Sequence, residues 1–546
     1  MNQTNQISES LAGRTVELGG VPLPLDTLCG GVLVLGATGS GKTMSVVNAL
    51  ASQFAALCED IPDERAAVFY FVTKGEPHHD LYRRISEDRQ KDVVFLSDSP
   101  DCQHRLELFP ETSFRSSETL AAAVPRLLEE VAEHVGDSLG TLRHDVFWAQ
   151  QRHRVMQTLS ALRGTTKQTA APAKLWHAPD ALRSLLARVD AFLTHTSSDR
   201  QAASVLTNEF KRAGIENATD LDDAMKFASR IGNEYEDESA TAVANLVRIL
   251  GKCVRKEWEQ SRKLSELDQF ASTLEPSSTQ TLLQLLNEYY RLPDSTRGCV
   301  SADIRGMTEL FRSSPSPLLF DSRRTPITFE QIIDRGQIAI IHLPLADSGN
   351  AALPALAAIK LALFTRLLGR MTALCERRPL SRRPVALFFD EFHTLVSRGR
   401  TGGEDLFLSR SREFGVVTVM ASQSVSLLAG ALRDPQKLQG FIANCRTQIF
   451  GFNTDEATNR MASEICGTHA DIINTGLPVW YGGAAFREFV RSGNVGQERL
   501  VMPIHRFREL KTGQFVVNAA DGSVHEVDLD FRLDAPRRVL LKPPIE

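Results

Sequence analysis

No two of the eight cysteines in this 546-residue sequence sit at zinc-ligand spacing: Cys29, Cys58, Cys102, Cys253, Cys299, Cys375, Cys445 and Cys466 lie far apart, with no CxxC and no histidine pair at ligand spacing. That excludes a zinc ribbon or finger and fits a reducing compartment. The 13 histidines are equally scattered, and His78-His79-Asp80 reads as a solvated loop rather than a ligand set. Neither sign of charge dominates. With 62 Lys and Arg against 67 Asp and Glu the net charge is −5, which excludes a histone-like polycation and confines any nucleic-acid site to a local patch. The polar start, Met1-Asn2-Gln3-Thr4-Asn5-Gln6, lacks the charged-then-apolar order of an export signal. The longest apolar stretch, Ala351 to Gly369, is interrupted by Pro354, Lys360 and Arg366, and reads as a buried helix rather than a membrane span. Internal repeats and long low-complexity segments are also lacking. What is present is a globular composition, 42% apolar and 24% charged, in a chain long enough for at least two structural units.

Short apolar runs predict strands at Val32-Leu35, Ala67-Val72, Val93-Leu96, Ile338-Leu343, Val385-Phe389, Val416-Met420, Thr447-Phe450 and Phe515-Val517. They alternate with helical periods, such as Val47, Leu50, Ala51 and Phe54 on one face. Continuous apolar strands separated by helices predict an α/β fold with a mainly parallel sheet covered on both sides. Between Glu111 and Arg305 strand-like runs give way to helical spacing, as in Leu182, Leu185, Leu186, Val189 and Phe192, then Val243, Leu246, Val247 and Leu250. An all-helical domain, 111–305, therefore interrupts the α/β domain, whose parts are 1–110 and 306–535. Gly164 to Pro172 reads as an exposed loop within the insertion, and 536–546 as an extended tail.

Gly36-Ala37-Thr38-Gly39-Ser40-Gly41-Lys42-Thr43 fits G-x-x-x-x-G-K-[ST] between a predicted strand and a predicted helix, the context in which that pattern cradles phosphates. Its glycines let backbone N–H groups curl around an anion. Lys42 reaches the β and γ oxygens, Thr43 offers a hydroxyl to Mg²⁺, and the helix N-terminus adds its dipole. ATP and Mg²⁺ are the expected ligands. At the end of a second apolar strand, Asp390 and Glu391 supply a metal-binding carboxylate and a general base, the alternative being a helix cap. Gln423 ends a third strand, either as a γ-phosphate sensor or as a satisfied core amide. Arg410 and Arg412 precede that strand, either as solvated helix-end charges or as an arginine finger acting on a neighbouring subunit.

These segments together resemble the FtsK/HerA superfamily of RecA-like motor ATPases, and most closely the TraD/TraG-like conjugative coupling proteins of type IV secretion. Gly30 to Thr43 is similar to that family's phosphate loop and Phe389-Asp390-Glu391-Phe392 to its Walker B element. Ser411 to Val416 and Ala421 to Ser426 resemble its Arg-to-Gln motif. The resemblance implies that Arg412 is the trans finger and Gln423 the sensor, with Arg446 as a further basic residue. Asp145-Val146-Phe147-Trp148 is similar to the aromatic motif opening the helical domain, and Ile332 to Pro344 to the return into the sheet. Two features depart from the pattern. Val72-Thr73 stands before Lys74-Gly75-Glu76 where relatives carry an acidic residue, and the family's usual membrane anchor is lacking. The chain thus resembles anchorless members, cytoplasmic in a bacterium and attached to the inner membrane only through a partner.

A trans finger implies a ring, a homo-hexamer with DNA through its centre. The loop Ser397-Arg398-Gly399-Arg400-Thr401-Gly402-Gly403 then suits phosphate contacts without sequence readout, through Arg398 and Arg400, the alternative being an ordinary solvated loop. A second cluster, Arg377, Arg378, Arg382 and Arg383, is expected to face solvent or a partner. The resemblance implies an ATP-driven DNA translocase, with the helical insertion recruiting a relaxase or secretion-channel proteins. Two other functions share the same motor residues: a nucleotide-switched recruitment adaptor that does not pump, and an ATPase partner of an effector in mobile-element defence.

Overall fold

The computed structural model describes residues 13–108 save 63, 76 and 77, then 323–345, 352–375, 383–397, 403–473, 495–529 and 537–542, with isolated positions between 127 and 319. Those isolated positions are all helical. The helical spacings at 182–192 and 243–250, the loop 164–172, the segment Asp145 to Trp148 and the boundaries at 111 and 305 lie outside the described residues, as do Arg398 and Arg400.

The chain opens with a hairpin of β1 (Thr15–Leu18) and β2 (Val21–Pro24). Gly19 and Gly20 hold φ of +60° and +76°, the left-handed pair that a two-residue hairpin turn requires. Next come β3 (Val32–Leu35), β4 (Ala67–Val72) and β5 (Val93–Ser97). Short β6 (His104–Leu106) pairs with β7 (Thr325–Ile327). β8 (Ile338–His342), β9 (Val385–Phe389), β10 (Val416–Ser422) and β11 (Thr447–Gly451) complete a parallel set with β3, β4 and β5. β12 (Thr468–Ile473) and β13 (Val495–Leu500) make a separate antiparallel pair. β14 (Gln514–Asn518), β15 (Val524–Asp528) and β16 (Arg537–Lys542) extend the main sheet to ten strands, ordered β16-β15-β14-β11-β3-β10-β9-β4-β8-β5.

The expected parallel sheet is therefore the larger part of a mixed one. Phe515-Val516-Val517, read as one more parallel strand, instead runs antiparallel to β11. The tail continues this antiparallel arm through β16. Because both faces of the parallel part are covered, its strands are mostly apolar along their length rather than alternating, as in β3 and β9. Val32, Val34, Val68, Tyr70, Ala386 and Phe388 pack into one core, and Leu33, Leu35, Phe69, Phe71, Leu387 and Phe389 into the other.

The longer helices among the described residues are α1 (Asn48–Ala56), α2 (His78–Arg84), α3 (Phe329–Arg335), α4 (Ala352–Cys375), α5 (Glu404–Ser411), α6 (Val425–Leu432), α7 (Pro435–Asn444) and α8 (Glu456–Cys466). Several of their starts carry side-chain caps. Ser424 accepts from Leu427 N, Asp455 from Thr458 N, and Thr328 forms a capping box with Gln331. α4 is long and apolar enough to cross a membrane by length and composition, and 72% of its Ala352–Gly369 window is buried within the protein. At its centre Lys360, 0% exposed, donates to Leu395 O, to Ser397 Oγ at 2.7 Å and to Glu404 Oε1.

Two sequence expectations are corrected here. His78 does not sit in a solvated loop: it opens α2, 5% exposed, its ring 4.6 Å from that of His342 and 5.4 Å from that of Phe95. Burial, with His342 and His79 adding to it, lowers its pKa to about 4. No metal-holding cluster occurs among the described residues. Arg383 does not face solvent or a partner either. It is 7% exposed and donates to the carbonyls of Pro62 and Arg65 beside Gly336, which is the hydrogen bonding a buried guanidinium needs. Arg377, Arg378 and Arg382 lie outside the described side chains.

Candidate nucleotide site

In a parallel sheet, ligands bind beyond the carboxyl ends of the strands, and three adjacent strand ends build this site. β10 lies between β3 and β9. The loop after β3, the carboxylates after β9 and Gln423 after β10 therefore emerge side by side. Gly36 N bonds Ser422 O at 3.3 Å, tying the first strand end to the third.

The loop from Gly36 to Thr43 is a tight turn with Gly39 at φ +83° and Gly41 at φ +92°. It leads into a wide π-type turn, Lys42–Val47, and then α1. The amides of Gly36, Ala37 and Ser40 make backbone bonds, to Ser422 O, Phe452 O and Ala37 O. Among the described residues those of Thr38, Gly39 and Gly41 make none, as an anion cradle requires. Ser40 Oγ is buried without a partner there, and a buried hydroxyl in that state is a place for a ligand oxygen or a water. A side chain at Gly36 would meet Ser40 Oγ at 2.5 Å, so the close approach needs glycine. Behind the loop, Tyr70 Oη donates to Asn48 Oδ1 at 2.8 Å and Asn48 Nδ2 to Asp80 Oδ2 at 3.1 Å, fixing α1 to β4 and α2.

Thr43 Oγ1 donates to the Asp390 carboxylate at 3.1 and 3.3 Å. This hydroxyl and carboxylate form a hard oxygen pair suited to Mg²⁺. Burial and then the adjacent Glu391 push the Asp390 pKa up, while Lys42 and the Thr43 hydrogen bond hold it down. A cation bound there would oppose the upward shift further. Glu391 is 8% exposed. Its backbone is left-handed, φ 52° and ψ 45°, a costly state for a residue with a Cβ and one found where function over-determines the geometry. Gln423 Nε2 donates to both its oxygens, at 3.2 and 3.0 Å, and Lys42 Nζ lies 3.9 Å from Oε1. His393 Nδ1 stands 3.6 Å from Oε2 and 3.3 Å from Ser422 Oγ. Burial lowers the His393 pKa; Glu391 opposes this, and Lys42 and Lys74 add to it. His393 and Ser422 carry no sequence signal beyond lying within three residues of motif positions.

Lys42, Thr43, Asp390, Glu391 and Gln423 are thus brought together. Arg412 and Arg446 are not: both are exposed and precede β10 and β11, at the opposite edge of the sheet. The length of β10, about 20 Å at the usual rise per residue, separates Arg412 from Gln423. Arg412 lies instead near Cys29, which precedes β3: burial and Asp26 push that thiol up to about 12 against the opposing Arg412 charge. At the departure noted after β4, Thr73 is buried and donates to Asp390 O at 3.3 Å, whereas Lys74 is exposed. Thr73 serves the carboxylate strand through its backbone.

A phosphate loop and a carboxylate pair on strands separated by one further strand define a RecA-like P-loop fold. The sequence model of the family described as the TraM recognition site of TraD and TraG matches residues 384–484. The fold is similar to the bacterial conjugative coupling protein TrwBdeltaN70 in its unbound form, at 15% identity and a TM-score of 0.53, covering 98% of this chain and 93% of that one. It is also similar to the plasmid coupling protein TrwB in complex with ADP and Mg²⁺, at 15% identity, a TM-score of 0.50 and the same coverage. No curated protein sequence matches the chain. Residues 384–484 thus resemble the TraD and TraG segment, and the fold resembles that of TrwB.

Proposed function

We propose that the protein is an ATP-hydrolysing DNA translocase working as a homo-hexamer, a coupling protein that moves or recruits a protein–DNA complex in conjugation. The observation that carries this reading is the convergence of Lys42, Thr43, Asp390, Glu391 and Gln423, with Arg412 held a strand length away on the opposite edge. Lys42 and the free loop amides bind the phosphates, and Thr43 with Asp390 would hold Mg²⁺, which neutralises phosphate charge when bound. Glu391 takes a proton from the attacking water. Gln423 fixes the Glu391 carboxylate and registers the γ-phosphate. Because Lys42 sits beside Glu391, binding phosphate draws the cation from the base and frees it to act. Arg412 cannot serve its own site at that distance, so it completes a neighbour's. The relative solved with ADP and Mg²⁺ supports the choice of ligands, and the matched TraM-recognition segment supports a partner in the DNA-processing complex. Arg398 and Arg400 are proposed as phosphate contacts in the pore, and Arg446 as a further basic group at the subunit edge.

Two measurements test the reading. ATP turnover across a salt series is expected to rise with single- or double-stranded DNA and to lose that stimulation as salt increases; turnover indifferent to both DNA types favours the non-pumping adaptor. Mixing inactive Lys42→Ala with inactive Arg412→Ala subunits is expected to restore part of the activity, since some interfaces then pair an intact loop with an intact finger. A mixture as dead as its components removes the shared site.

A further inference from the structure

A contact outside every motif reaches the phosphate loop from the far end of the chain. Thr512 Oγ1 donates to Gly39 O at 3.0 Å, and Gly513 N donates to Ser40 O at 3.0 Å. Both acceptors lie at the loop's tip, and the partners are 473 residues apart along the sequence. The turn making these bonds precedes β14, which pairs with β11, the strand next to β3. It is itself constrained. Gly513 has φ +88°, and a Cβ there would meet Leu529 O at 2.8 Å, while Leu529 N donates to Gly513 O at 2.8 Å. Gly451, at the end of β11, leaves only enough room for the Phe515 ring and Ser40 Cβ. The loop therefore rests on a backing formed by β11 and the 511–513 turn.

We propose that this backing belongs to the nucleotide site, with Thr512 as a positioning residue for phosphate binding. A peptide unit whose carbonyl is fastened on one side has its neighbouring amide aimed to the other. With Gly39 O held by Thr512 and Ser40 O by Gly513, the next amides, those of Ser40 and Gly41, have fixed directions. The Gly41 amide makes no backbone bond among the described residues and is left for an anion. Glycine would otherwise let the tip sample many conformations, and a loop ordered in advance does not lose that freedom on binding. Thr512 itself is exposed, so its substitution leaves the core untouched.

The inference rests on the reading of the loop as a nucleotide site. Thr512→Val keeps the shape and removes the donor; Thr512→Ser keeps the donor. ADP–Mg²⁺ affinity by calorimetry is expected to weaken about threefold to tenfold in Thr512→Val, the worth of one neutral hydrogen bond, and to stay within about twofold of native in Thr512→Ser. KM for ATP should rise with it, while kcat at saturating ATP holds. A Thr512→Val protein that melts lower yet binds ADP as native does would make the contact structural only and overturn the proposal. Equal weakening in both variants would overturn it too, since the hydroxyl would not be the cause. A native chain that binds no ADP overturns the nucleotide reading and this inference with it, whereas native binding with an unchanged Thr512→Val affinity overturns this inference alone.

Discussion

Glu391→Gln is expected to bind ADP–Mg²⁺ within about twofold of native affinity and to hydrolyse ATP about 10²- to 10⁴-fold more slowly, the range general-base groups contribute. The substitution keeps the volume and one carbonyl oxygen at a position that touches Lys42, Gln423 and His393. Thr43, Asp390 and the loop amides, which carry the binding in the proposed reading, are left as they are. What disappears is the basicity. The amide also cannot draw Lys42 as the carboxylate does, so affinity is expected to hold or tighten slightly. Calorimetry with ADP–Mg²⁺ and a steady-state turnover assay on the same preparation separate the two quantities. Loss of binding with loss of turnover would make Glu391 a structural element of the strand end.

Lys360→Met is expected to lower stability by about 3–5 kcal/mol, the cost of stranding one member of a buried ion pair. Lys360 lies inside α4 with no exposure, and Glu404, 2% exposed, is left without its cation. Burial depresses the Lys360 pKa, with Glu404 and then Glu130 opposing. Ser397 N also donates to Glu404 at 3.0 and 3.1 Å, so one lysine joins both ends of the segment that carries Arg398 and Arg400. Adding Glu404→Gln removes the stranded charge and is expected to recover part of the loss, a coupling that a double-mutant cycle in urea would read. A single variant within about 1 kcal/mol of native would show that the pair contributes little.

Much of this site is legible without coordinates because its parts are local. Val32 to Leu35 and Val385 to Phe389 are apolar at every position because both faces of the sheet are covered, and the phosphate loop fits a short pattern in its proper place. Strand direction is different. Phe515-Val516-Val517 has the same apolar character as its parallel neighbours, and nothing in a period of two states which way a strand runs. The β1–β2 hairpin carries a local signal, Gly19-Gly20 between two alternating runs, that composition-level reading passes over. The buried place of His78 depends on His342, 264 positions later in the numbering of the chain. Thr512 is beyond reach for the same reason: its partner Gly39 is brought to it only by β11 and β14.

If Glu391 is the base proposed above, its left-handed backbone is a conformational cost set against turnover at one position. Glycine would adopt φ 52° and ψ 45° without the clash that a Cβ brings, and relief of such strain is worth on the order of 1 kcal/mol. Against that gain stand the contacts with Gln423, Lys42 and His393 that a glycine would give up, and the carboxylate itself. On that reading the glutamate carries its conformational cost for the sake of catalysis, so stabilised variants of this chain should be screened for turnover at the outset.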